Sequence, residues 1–242
     1  MSERPDERPA ALVTGGSSGI GFEMVRALAG LGHAVTLVAR RPETVERAVD
    51  ALRAEGLEVL GVPADITQDA AVVEAIRCHR EAWGRLDVLV NNAGGGIMGP
   101  LQESSLKHID RQLSLNLRSV VLFYRHATEL LLEAGQGDGA LVVNTASIHG
   151  KRAEGGLAVY SAAKHGVVGL NEAMNLELGE HGVKSCVFCP GYVDTPLAAP
   201  VGVPPEEMIR PDDLVEVLKA LLRLSRHCVI PEVTFVRPGL RV

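Results

Sequence analysis

Seven short runs of nearly continuous apolar residues alternate with longer segments whose apolar positions recur at helical spacing. The runs are Ala11–Thr14, Ala34–Ala39, Glu58–Pro63, Val88–Asn91, Ala140–Thr145, Val183–Cys189 and Val229–Val236. Strands without apolar/polar alternation are those buried on both faces. Between them lie Ile20–Leu31, Thr44–Glu55, Ala70–Trp83, Ser105–Ala134, Ala158–His181 and Asp212–Ser225, each able to present an apolar stripe along one helix face. Strand–helix alternation builds β-α-β units. The pattern therefore predicts a doubly wound α/β fold of three layers, a parallel sheet between helices.

The length of 242 residues gives a prior of one domain, at most two. Internal repeats are absent and no composition shift marks a second unit, so residues 10–242 are expected to form a single domain. Residues 1–9 mix both charges with two prolines and lack the basic start and apolar core of a signal peptide. They are expected to be a disordered leader on a cytoplasmic protein. Residues 196–211 carry five prolines and are expected to form a substrate loop after the sixth strand.

Lys plus Arg number 24 against 30 Asp plus Glu, a formal charge of −6, which argues against nucleic acid as partner. No apolar run reaches the length of a membrane span. Cys186 and Cys189 stand three apart on one strand and so point to opposite faces, too far apart for a disulfide. Cys78 and Cys228 are isolated, and all four are read as free thiols. The eight histidines form no metal-ligand pattern, so no metal is expected.

Three motifs carry candidate chemistry. The first strand runs into Thr14-Gly15-Gly16-Ser17-Ser18-Gly19-Ile20-Gly21 and then a helix. Glycines there permit a tight turn and close approach of backbone to a pyrophosphate, which the helix N-terminus faces with free N–H groups. The second strand ends in Arg40 and Arg41, where an NAD site would place an acidic residue for the ribose 2′-hydroxyl. A guanidinium suits a 2′-phosphate, which favours NADP(H) over NAD(H), with Arg40 the foremost contact. Tyr160 and Lys164 are one helical turn apart, so phenol and ammonium are neighbours. Ser147 ends the fifth strand and Asn116 lies in the long fourth helix.

In register, these residues resemble a single-domain short-chain dehydrogenase/reductase. T-G-x-x-x-G-x-G is Thr14–Gly21, N-N-A-G is Asn91–Gly94, and Y-x-x-x-K is Tyr160–Lys164. Asn116, Ser147 and the Pro190-Gly191 segment with Thr195 complete the set. The resemblance spans residues 10–236 and implies a seven-stranded Rossmann sheet in the order 3-2-1-4-5-6-7. It implies Asn116, Ser147, Tyr160 and Lys164 as the catalytic set. The cofactor would be held by Gly15, Ser17, Ser18, Gly19, Ile20 and Gly21 at the pyrophosphate, with Asp65 and Ile66 at the adenine. Asn92, Ala93 and Gly94 would lie along the nicotinamide ribose, and Pro190, Gly191, Val193 and Thr195 at the carboxamide. Asn91 is read as structural.

Physically, hydride delivery to a carbonyl builds negative charge on its oxygen, and a donor aimed there lowers the barrier. Tyr160 is the expected general acid/base, with Ser147 on the substrate oxygen and Lys164 lowering the phenol, and the resemblance implies that Asn116 anchors a water relaying protons to Lys164. Ser147, His149, Tyr160 and Tyr192 are the candidate substrate contacts, and His165 is read as packing. The expected activity is NADP(H)-dependent interconversion of a carbonyl and a secondary alcohol on a small molecule. A 3-oxoacyl-[acyl-carrier-protein] reductase is the alternative, though Arg118, Arg125 and Arg152 show no obvious docking cluster in the sequence. A non-catalytic NADP-sensing regulator is a further one. The resemblance also implies a homodimer or homotetramer through the fourth and fifth helices.

Overall fold

The computed structural model describes residues 8–199 and 202–239. Residues 1–7 of the expected leader and residues 200 and 201 of the proline-rich loop lie outside them. Arg8 and Pro9, placed by the sequence reading in the leader, are part of the fold. The Pro9 carbonyl accepts from Ala34 N–H at 2.9 Å, and the Arg8 guanidinium lies over Trp83 and pairs with Glu58.

The chain runs β1 (Ala10–Thr14), α1 (Gly19–Gly30), β2 (Ala34–Ala39), α2 (Pro42–Ala54), β3 (Val59–Pro63), α3 (Asp69–Trp83) and β4 (Val88–Asn91). It continues through α4 (Leu106–Leu113), α5 (Ser119–Gln136), β5 (Ala140–Thr145), α6 (Ala158–Leu178), β6 (Val183–Pro190), α7 (Pro211–Arg223) and β7 (Glu232–Phe235). All seven strands are parallel in the order β3-β2-β1-β4-β5-β6-β7. The order reverses between β1 and β4, and a doubly wound sheet opens its ligand crevice at that reversal.

Alternate strand residues feed two separate cores. Leu12, Leu89, Val142 and Cys189 pack with Phe123, Leu130 and Val72 beneath α3, α5 and α6. Val13, Val90, Val143 and Cys186 pack with Met24, Leu28 and Leu214 beneath α1 and α7. Cys186 and Cys189 thus face opposite layers, and all four cysteines are free.

Two elements differ from the sequence reading. The expected helix Ser105–Ala134 is broken by a π-helical turn, Ser114–Arg118, in which Ser119 N–H reaches back five residues to the Ser114 carbonyl. The last strand is shorter than Val229–Val236. Pro231 interrupts that run, its carbonyl takes Val187 N–H and the Asn171 amide, and Val229 and Ile230 are exposed. No helix among the described residues is long and apolar enough to cross a membrane.

Candidate active site

The carboxyl ends of β1, β4, β5 and β6 bring the candidate residues to one edge of the sheet. At β1 the chain turns through Gly15, whose φ of +67° is a conformation that side chains resist. Gly15 N–H and Gly16 N–H both donate to the Val38 carbonyl, folding the turn onto β2. A Cβ on Gly21 would stand 2.4 Å from the Gly15 carbonyl oxygen, so helix α1 can approach this closely only with glycine there. The N-terminus of α1 has no side-chain cap at Ser18 and no acidic residue in its first turn. Its positive end is thus available to an anion, and the turn fits a pyrophosphate. Thr195 closes over this end, its methyl 3.0 Å from where a Cβ on Gly19 would be.

Thr14 ties the two halves of the crevice. Its hydroxyl oxygen accepts from Asn92 N–H (3.0 Å) and Ala93 N–H (3.1 Å) and its proton reaches the Val90 carbonyl. The sequence reading gave this side chain no role. Asn91 is structural, as expected from its place under the cofactor turn: it donates to Asn144, which donates to Tyr124 and Asn171, all buried. Arg40 and Arg41 are exposed at the end of β2, beside the glycine turn. Asp65 is exposed, and Thr67 N–H and hydroxyl both bind its Oδ1, leaving Oδ2 for a donor such as an adenine amino group. Ile66 is buried beside it.

Tyr160 and Lys164 share a face of α6. The Lys164 ammonium is buried, donates to the Thr145 carbonyl at 2.8 Å and lies 5.7 Å from the centroid of the Tyr160 ring. Burial brings it down to about 8, with nearby Cys189 acting in the opposite sense. Ser147, in extended backbone after β5, accepts from His149 N–H at 3.2 Å. The Ser147 hydroxyl lies near the Tyr160 phenol and acts on it downward. Phenol, hydroxyl and ammonium therefore converge.

The phenol is not lowered here. Burial pushes Tyr160 above its ordinary value and outweighs the effect of Ser147. Desolvation disfavours a phenolate until a cation adjoins it. The lowering expected of this phenol is therefore not present in the protein alone.

Asn116 lies in the π-helical turn. Its side chain is fully buried: Oδ1 accepts from Gly95 N–H at 3.0 Å, and Nδ2 donates to the Gly95 and Gln112 carbonyls at 2.8 and 2.9 Å. The amide thus ties helix and strap together through both of its ends. One turn earlier, buried Gln112 accepts from Ile97 N–H at 3.0 Å, so the two amides pin the strap from Gly95 to Ile97. Gln112 was missed in the sequence. Its signal is the four-residue spacing from Asn116 on one helix face.

Gly94 sits where these groups meet. A Cβ there would be 2.9 Å from Asn116 Oδ1 and 3.2 Å from Lys164 Nζ. Gly94→Ala is expected to fold with about 1–3 kcal/mol lost to overpacking and to lose turnover disproportionately. Thermal melting alongside kcat checks this, and kcat at the wild-type level would contradict it.

His149 stands edge-on to Tyr160, and Tyr192 is half-buried beside the Pro190-Gly191 turn. His165 bonds back to the Ser161 carbonyl within α6 but is exposed, so it is not the packing residue expected. Arg118 bonds to the Thr67 carbonyl, and with Arg125 it acts on Asp69 at the start of α3, so this pair gathers at the adenine end. Among the described residues no group of three His, Cys, Asp or Glu could hold a metal.

A doubly wound sheet with a glycine turn at its switch point and a Ser–Tyr–Lys cluster beside it defines a dinucleotide-dependent oxidoreductase. The model of the short chain dehydrogenase family matches residues 9–204, and the chain belongs to that family. A putative ketoacyl reductase of the monensin polyketide synthase from Streptomyces virginiae is 40% identical over 193 residues, covering 78% of this chain and 72% of its own. Levodione reductase from Leifsonia aquatica is 36% identical over 189 residues, 77% of this chain and 70% of its own. An alcohol dehydrogenase from the archaeon Thermococcus sibiricus, solved with 5-hydroxy-NADP, matches at TM-score 0.88 and 28% identity, covering 98% of this chain and 99% of that one. The chain is thus an oxidoreductase acting between CH–OH and C=O groups.

Proposed function

We propose that this protein uses NADP(H) to interconvert a ketone and a secondary alcohol, with Tyr160 as general acid/base. The observation that carries this reading is the buried Lys164 ammonium 5.7 Å from the centre of the Tyr160 ring, with the Ser147 hydroxyl near the phenol. When bound, the cofactor would supply or accept the hydride and, oxidised, a positive charge. The Tyr160 hydroxyl gives its proton to the carbonyl oxygen during reduction and takes it back during alcohol oxidation. Ser147 is pre-oriented: its oxygen is engaged by His149 N–H, so its own proton points to Tyr160 or to substrate oxygen. Lys164 stabilises the phenolate, and Asn116 and Gln112 act as positioning residues through the strap they hold.

Gly15, Ser17, Ser18, Gly19, Ile20 and Gly21 would hold the pyrophosphate, with Asp65 and Ile66 at the adenine. Asn92, Ala93, Gly94, Tyr160 and Lys164 would meet the nicotinamide ribose, and Pro190, Gly191, Val193 and Thr195 the carboxamide. His149 and Tyr192 would line the substrate side. The 2′-phosphate falls to Arg40 and Arg41, and the NADP derivative bound to the Thermococcus sibiricus enzyme supports that choice. Arg40→Ala is expected to weaken NADPH about tenfold or more while leaving NADH within about twofold, since one charge-assisted pair is worth about 1.5–3 kcal/mol. Fluorescence titration of both cofactors checks it; equal weakening would contradict it.

A panel of ketones and alcohols assayed with NADPH and NADH tests activity and cofactor together, and no turnover of any carbonyl would sink the reading. Reduction of a 3-oxoacyl carrier is the second reading, supported by the name of the monensin relative. A large gain for carrier-linked over free substrates would establish it. Exposed Leu113, Val121 and Leu176 on α4, α5 and α6 support a homodimer or homotetramer through these helices. Four unpaired thiols support a reducing, cytoplasmic compartment.

A further inference from the structure

His149 lies on the short helical turn Ile148–Gly150, just after Ser147, with only 13% of its side chain exposed. Its ring meets that of Tyr160 edge-on, centroids 6.1 Å apart at 69°. Both ring nitrogens face groups that can only accept. Nδ1 is 3.3 Å from the Arg152 carbonyl oxygen, and Nε2 is 3.4 Å from a Glu154 carboxylate oxygen. Each ring nitrogen can offer its neighbour a hydrogen bond only where it carries a proton, and in the tautomer with the proton on Nε2 the N–H faces Glu154.

The bond to Arg152 is made within the turn itself. The contact with Glu154 is loose: the carboxylate side chain is 50% exposed, and its distance exceeds the ~2.7–2.9 Å of a charge-assisted hydrogen bond. An N–H that faces a weakly held acceptor, beside the phenol that meets the reacting oxygen, can exchange that acceptor for one on the substrate.

We propose that His149 Nε2–H receives a second oxygen of the substrate, so that this site selects ketones bearing another oxygen acceptor near the reacting carbonyl. The inference rests on the assignment of Tyr160 and Ser147 to the reacting oxygen. With that oxygen held by their hydroxyls, the imidazole fixes the other end of the reacting unit and so sets which face meets the hydride. A β-keto ester offers a neutral acceptor, whereas an oxo acid replaces the Glu154 carboxylate charge for charge.

The test is the preference, as a ratio of kcat/KM with NADPH, for a β-keto ester and for an oxo acid over a plain ketone of matched skeleton. His149→Phe keeps a ring against Tyr160 but has no donor. It is expected to lower both ratios about tenfold or more, chiefly through KM, the loss of roughly one buried hydrogen bond. His149→Gln keeps an N–H donor and is expected to hold the keto ester ratio within about threefold of wild type. If the phenylalanine variant does not fold, His149→Ala is read against His149→Gln in the same way.

Ratios unmoved by loss of the donor, a glutamine variant as poor as the phenylalanine one, or a wild type without preference would each overturn the inference. In all three cases the ketones are still reduced, so the assignment of Tyr160 survives. A wild-type protein that reduces none of the compounds overturns that assignment, and this inference with it.

Discussion

Tyr160→Phe is expected to fold, still to bind NADPH, and to reduce ketones at least about 100-fold more slowly than wild type, within the range for loss of a general acid. The substitution removes one oxygen and leaves the ring, so its packing with His149 and its position over Lys164 persist. What disappears is the phenol hydroxyl, the group assigned to give its proton to the carbonyl oxygen. Because burial holds the phenol above its ordinary value, Tyr160 is protonated throughout the neutral range and is poised for reduction. Alcohol oxidation needs the phenolate, so its rate is expected to rise with pH, whereas reduction stays flat through neutrality. Initial rates in both directions check the pair of statements. Turnover by the phenylalanine variant near the wild-type level would remove Tyr160 from the chemistry.

Lys164→Met is expected to abolish turnover and to change how stability depends on pH. In the cofactor-free protein, burial depresses the ammonium from 10.5 to about 8. Below the folded value both states carry the proton, and the folded protein bears the cost of burying a cation. Between about 8 and 10.5 the unfolded chain binds the proton and the folded one does not, so stability rises with pH. The whole window corresponds to about 3 kcal/mol. Methionine removes this dependence, though it also leaves the Thr145 carbonyl without its donor, a loss of about 1–3 kcal/mol. The slope is therefore the cleaner readout than the absolute stability. Urea unfolding at about pH 7 and about pH 10 is expected to show wild type gaining on the methionine variant. Parallel behaviour of the two proteins would mean that Lys164 is not held as a strained cation.

Much of this architecture was legible along the chain. Buried parallel strands leave uninterrupted apolar runs, and residues whose chemistry depends on local spacing, such as Tyr160 and Lys164, announce it within one turn of helix. The π-helical turn at Ser114–Arg118 left no such trace, because one extra residue in a helix preserves the apolar rhythm on either side. That turn lies in the segment from which Asn116 clasps Gly95, so a feature invisible in the apolar rhythm fixes where this amide sits. Gln112 could be placed by its spacing from Asn116, but its partner and that of Thr14 lie 15 and 78 residues away, distances at which sequence carries no pairing signal. The raised phenol follows from burial, a property of the assembled pocket rather than of any motif.

The central claim is that hydride passes between a nicotinamide and a carbon held against Tyr160 and Ser147. Single-turnover reduction of a ketone with NADPH deuterated at the transferring nicotinamide carbon, followed by mass spectrometry of the alcohol, addresses it directly. One deuterium on the carbinol carbon is the predicted result. An alcohol formed without deuterium from fully labelled cofactor would contradict the account.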